Sequence, residues 1–321
     1  MLKLSPKTIL GAVGVLALLV ASNFLKGPPP HIALPAEKVF AVFGFPITNT
    51  YIASWLTIVV LVGLSWAATR KMAAVPRGVQ NLVEAFIELF LNFVEGIAGR
   101  ENARRFFPVV TTIFLFVITS AYLSLLPGFT TIGIVKTEEH GQSFKVVEIA
   151  GLRVAFVALG AATVTEASGE ESAEGIKGEL VAFLRGANTE LNTPMALAVL
   201  SAIFVEYWGI STWGLRGYST KFFNFRQLRQ GRIMMGFVDI FVGFMELVSE
   251  LARLISFTFR LFGNMFAGEV LLGVITFLIP LVAVLLFFGL ELLVGFVQAL
   301  VFAGLTVVFG VVAVAGHGEE H

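Results

Sequence analysis

The chain has 321 residues, a formal net charge of zero and a mean hydropathy of +0.87, with 57 % hydrophobic residues and 32 Phe. That profile excludes a soluble globular class, and the balanced charge argues against nucleic acid as a partner. With no Cys, and with two of its four His in the last five residues, the chain has no disulfide or thiol chemistry and no internal His-rich metal site.

The first element is an apolar run over 8–25 behind Lys3 and Lys7, which fits either a retained anchor or a cleaved signal peptide. A Pro-rich linker (Gly27 to Pro30) closes an N-terminal region, 1–49. The next region, 50–126, begins with a span over about 50–69 that stops at Arg70 and Lys71. Within it, 78–98 sets Val83, Phe86, Phe90 and Phe93 at helical spacing against Glu84, Glu88 and Glu95, an interfacial or partner-packed amphipathic helix. A second span covers about 106–126 and ends at Pro127-Gly128.

The segment 127–192 reads as an acidic insertion, with five Lys/Arg (Lys136, Lys145, Arg153, Lys177, Arg185) against nine Glu. A third span over about 193–213 leads to a basic link, 214–235, that carries Arg216, Lys221, Arg226, Arg229 and Arg232 and no acid. Tyr207, Trp208 and Trp213 at its end read as an interfacial aromatic belt. Basic residues at 70–105 and 214–235 assign both to the cytoplasm and put 130–190 outside. The last region, 236–321, is a helical hairpin turning near Pro280 on the outer face, with a short cytoplasmic tail. The expected fold is therefore all-α: a polytopic membrane protein with about five spans plus an N-terminal apolar segment, ending in a long tilted hairpin.

Charge placement in that hairpin carries the functional signal. At 100° per residue, Glu246, Glu250, Arg253, Phe257, Arg260 and Asn264 fall within about 80° of one another, on one face of one helix. Glu269 lies off that stripe, and Glu291 and Gln298, seven apart, share a face of the return helix. Glu269 and Glu291 each stand 11 residues from Pro280, so they match in depth; Arg260 and Gln298, 20 and 18 away, match near the middle. A mid-bilayer arginine costs about 2.5–3.5 kcal/mol on insertion scales. Helix glue accounts equally well for Glu250 and Arg253 at i, i+3, but Arg260 has no acid at i±3 or i±4. The terminal run from His317 to His321 fits an H-x-x-E-H zinc pattern but has no helix to orient it and no third ligand nearby.

The run Arg260–Glu269, reading RLFGNMFAGE, resembles the signature helix of subunit a of F-type ATP synthases. Glu190-Leu-Asn192-Thr193, Leu126-Pro127-Gly128 and Gln298-Ala-Leu-Val-Phe302 extend the resemblance over most of about 45–316. It implies a non-catalytic stator subunit of a bacterial plasma membrane, lying against a ring of c subunits and held by peripheral-stalk b subunits, with no cofactor. Arg260 would match the essential arginine that faces the ring carboxylate, and Gln298 its partner. Glu269, Glu291 and Asn264 would line the outer aqueous path; Glu246, with Glu250 beside it, would lie on the cytoplasmic one. The family accepts His or an acid at position 291. It usually has Asn where this chain has Ala121, and its 130–190 segment is shorter.

Two rival readings remain on residues alone. A secondary transporter would pair an anionic substrate with Arg260, and predicts inverted repeats and broken helices; the two halves show no repeat, and 236–279 contains no Pro. A stator of another motor would share the ion path but not the run at 260–269.

Overall fold

A computed structural model describes residues 32–73, 75–144, 146–149, 152–156, 176–222, 232–279 and 283–315. The N-terminal apolar run, Pro280 and the His317–His321 tail thus lie outside the described residues. A hairpin of Lys38–Val42 (β1) and Phe45–Thr48 (β2) turns at Phe43 and Gly44, which hold φ of 50° and 81°. Among the described residues, five helices are long and apolar enough to cross a membrane: Asn49–Thr69 (α1), Val79–Ser124 (α2), Asn192–Ser219 (α3), Ile233–Leu278 (α4) and Ala283–Ala315 (α5). These are the expected spans, and the membrane part is all-helical.

The amphipathic stretch and the second span form one helix, α2, broken at Gly99 with φ 71° and ψ 161°. Gly214 breaks α3 in the same way, with φ 70° and ψ 160°. An L side chain in that region costs about 1–3 kcal/mol. Gly99→Ala is therefore expected to lower the thermal midpoint of the purified complex, and an unchanged midpoint would contradict a Gly-dependent break.

The acidic insertion carries structure that its residue pattern did not announce. Ile132–Phe144 (β3), Val146–Ile149 (β4), Leu152–Phe156 (β5) and Ile176–Ala182 (β6) form an antiparallel sheet in the order β4-β5-β3-β6. β3 and β6 pair from Gly133↔Ala182 to Phe144↔Ile176, with a register shift between Thr137 and Gln142. The all-helical spans thus carry an appended sheet. β4 and β5 pair locally, but the β3–β6 ladder joins residues more than thirty apart, which no short periodic pattern marks.

The described residues form two compact units. One takes them from Met1–Thr57, Ser120–Glu190 and Asn264–Phe296; the other from Ile58–Thr119, Leu191–Gly263 and Val297–His321. In the first, Ala53, Phe129 and Ala187 form a small buried core, covered by Leu56, Leu123 and Leu184. A Cβ built on Gly295 lies 3.2 Å from that of Ala121, so these helices approach closely.

The second unit has an aromatic core. Phe90 packs at a tilt against Phe114, with ring centres 4.7 Å apart, and Val94 is fully buried, which resolves the amphipathic helix as partner-packed, with Glu84 and Glu88 exposed. Phe106 meets Trp208 at 4.2 Å, and Gly310 leaves room for both rings. Trp208 is thus a core residue, 2 % exposed, and not part of an aromatic belt. The packing need of Phe106 wins over the interfacial preference of indole. Tyr207 and Trp213 are exposed, Trp213 donating to Val314 O at 2.9 Å.

Candidate functional site

The polar residues of α4 and α5 are divided between the two units. In the second unit lie Glu246, Glu250, Arg253 and Arg260 on α4, and Gln298 on α5. Of the stripe residues, Arg253, Phe257 and Arg260 line one open cavity of about 290 Å³, with Ser249, Ser256 and Phe309. Phe257 anchors this face of α4 to α5, with its ring 4.9 Å from Phe302 and 5.4 Å from Phe309. Arg260 is exposed, and among the described residues it has no hydrogen-bond or ion-pair partner. Gln298 is 4 % exposed.

Glu246 and Glu250 pair differently from the i, i+3 option. Lys221, in the turn after α3, sits 2.7 Å from Glu250 Oε1 and 3.0 Å from Glu246 Oε1. Arg253 reaches Glu246 at 3.7 Å, two turns away on the same face, while its guanidinium lies 4.8 Å from the centre of the Phe309 ring. Burial alone would lower the Lys221 pKa, but hydrogen bonds to Glu250 and Glu246 outweigh it and hold the ammonium above its ordinary value. A raised lysine pKa contributes stability that is complete below about 10.5 and is lost as pH rises through the folded value. Lys221→Met is therefore expected to lower the thermal midpoint at neutral pH by the equivalent of about 1 kcal/mol, partial exposure keeping the figure small. The two midpoints should converge in strong alkali; a gap independent of pH would contradict the charge pairing.

In the first unit lie Asn264 and Glu269 on α4 and Glu291 on α5. Asn264 is exposed, and Glu269 and Glu291 are half-buried. A Cβ added to Gly268 would fall on the Glu291 carboxylate, so Glu291 lies against the backbone next to Glu269. The matched spacing of the two acids from Pro280 is consistent with this contact. Glu269 is paired with Arg185, whose Nε lies 3.0 Å from Oε1 and 3.2 Å from Oε2. In the same unit Thr50 donates to Glu190, and buried Asn188 donates to Ser120 Oγ at 2.6 Å, the residue before Ala121.

Sequence reasoning missed Arg185 and Lys221 as site residues. Each was visible only as part of a local charge count, and each finds its acid far along the chain. Among the described residues no cluster of three His, Asp or Glu has the placement to hold a metal ion.

Five apolar helices, with carboxylates and arginines along the last two, define a multi-pass α-helical membrane protein. The family model described as ATP synthase A chain matches residues 51–310. The chain belongs to that family. It is 26 % identical over 280 residues to ATP synthase subunit a of Moorella thermoacetica, covering 87 % of this chain and 97 % of the relative. It is also 26 % identical over 273 residues to ATP synthase subunit a of Gloeobacter violaceus, covering 85 % and 86 %.

Proposed function

We propose that the chain is the proton-translocating stator subunit of a rotary ATP synthase, set against a ring of c subunits and braced by peripheral-stalk b subunits. The observation that carries this reading is Arg260: an exposed guanidinium on an apolar 46-residue helix, beside an open cavity and without a partner among the described residues. A cation so placed in a membrane helix needs an anion from outside the chain. A ring carboxylate supplies one.

A fixed guanidinium favours the ionised form of a ring carboxylate, so the proton is shed before the carboxylate passes. Protonation from the outer path neutralises the next one and lets it enter lipid without the cost of a buried charge. Glu269, Glu291 and Asn264 serve the outer path, and Glu246 and Glu250 the cytoplasmic one, with Gln298 at a depth matching Arg260. Arg260 blocks leakage because it repels a proton and is not itself deprotonated. The driving energy is about 2.3 kcal/mol per charge per 100 mV. The chain makes no bonds and needs no nucleophile. In this reading 130–190 lies outside the bacterial plasma membrane and the C-terminus is cytoplasmic.

The chain has no Cys, so one introduced thiol is unique. Ser256→Cys, lining the Arg260 cavity, is expected to form a disulfide with a cysteine placed one helical turn from the ring carboxylate. No cross-link under oxidation, in complexes where a control pair links, would contradict ring contact on this face.

A further inference from the structure

The pairing of Glu269 points to a role for the acidic insertion. Arg185 stands three residues after β6, and its side chain is 7 % exposed. The β3–β6 ladder continues up to it: Phe183 N–H donates to Ile132 O at 2.9 Å, and Thr130 N–H to Leu184 O at 3.0 Å. Beyond it the chain enters a tight turn over Ala187–Thr189, with Thr189 N–H bonded to Gly186 O at 3.1 Å. A Cβ on Gly186 would meet Thr189 Cγ2 at 3.0 Å and Ser124 Cβ at 3.1 Å, so this backbone has little room to shift. Arg185 is therefore delivered from a fixed frame.

Among the described residues its guanidinium meets Glu269, Pro35 and Phe266. Nε–H is shared between both Glu269 oxygens, Nη1 donates to Pro35 O at 3.3 Å, and the group lies 5.9 Å from the centre of the Phe266 ring. Glu269 is half-buried and stands beside Gly268, whose backbone the Glu291 carboxylate touches. Of the two neighbouring acids, one thus carries a fixed counter-charge, and Arg185 is the arginine that supplies it. A buried guanidinium holds its geometry only while its acceptors are in place, and an acid so held cannot rotate freely.

We propose that Arg185 is a positioning residue for proton entry: the sheet-bearing insertion carries it to Glu269, where it orients that carboxylate and offsets its charge. This rests on the outer-path role given to Glu269 under the proposed function. A bare mid-helix carboxylate beside Glu291 would be repelled by it and free to adopt several rotamers. With Arg185 in place it has one orientation.

The test is ATP-driven proton pumping by assembled complexes in inverted membrane vesicles, for wild type, Arg185→Gln, Arg185→Lys, Glu269→Gln and the double Arg185→Gln/Glu269→Gln. Arg185→Gln is expected to slow pumping about tenfold, as loss of a charge-assisted contact does. Arg185→Lys should recover a large part of the rate, and the double variant should pump no more slowly than Glu269→Gln alone. Wild-type pumping by Arg185→Gln, or a further tenfold loss on top of Glu269→Gln, would overturn the proposal, the latter assigning Arg185 a general structural role. If Arg185→Gln does not assemble, restored assembly in the double variant supports the pairing, and continued failure overturns it. Wild-type pumping by Glu269→Gln would instead remove the outer-path role of Glu269, whatever Arg185 does.

Discussion

Arg260→Lys is expected to be nearly as damaging as Arg260→Ala, with gradient-driven ATP synthesis falling on the order of 100-fold in either. Charge alone would predict rescue by lysine, since both side chains are cationic in water. The site argues otherwise. Arg260 is exposed on an apolar helix face, lines an open cavity and has no partner within the described chain. Where water is scarce an ammonium loses its proton far more readily than a guanidinium, so lysine becomes a relay where a barrier is needed. Lysine also lacks the planar fork that meets a carboxylate in two-point geometry. The check is synthesis under an imposed gradient in reconstituted vesicles, with complex content matched across variants. Substantial synthesis by the lysine variant would show that a point charge suffices.

Gly268→Ala carries the second large effect. Alanine in place of a mid-helix glycine is ordinarily favourable by about 0.5–1 kcal/mol. Here the added methyl would land on the Glu291 carboxylate, and the side chain has to leave its place beside Glu269. Synthesis is expected to fall about tenfold, as a displaced polar group at a transfer step does. Gly289→Ala is the matched control: its Cβ meets nothing within 4 Å, so that variant should behave as wild type. Equal activity of the two variants would mean that the position of Glu291 is unimportant, and would remove it from the outer path.

What was legible in the sequence follows the range of the interactions. Hydropathy runs and charge asymmetry are local, and they yield the five helices near their observed bounds. The helical repeat is local too, so the stripe from Glu246 to Arg260 could be drawn before the fold was known, and Arg253 and Arg260 do line one cavity. The counter-charges were not legible. Arg185 and Glu269 are 84 residues apart, and Lys221 lies 29 residues from Glu250. Neither distance has a period, and both cations looked like ordinary loop charges. The β3–β6 pairing in the insertion escaped for the same reason, since it joins residues more than thirty apart. Trp208 shows the opposite error: a local rule about interfacial indoles lost to a tertiary contact with Phe106.

In the proposed function, ion translocation depends on Arg260. The most direct test is ATP-driven acidification of inverted membrane vesicles, comparing wild type with Arg260→Ala in complexes shown to be intact. The account predicts that the variant assembles and does not pump. Normal pumping by an intact Arg260→Ala complex would contradict it.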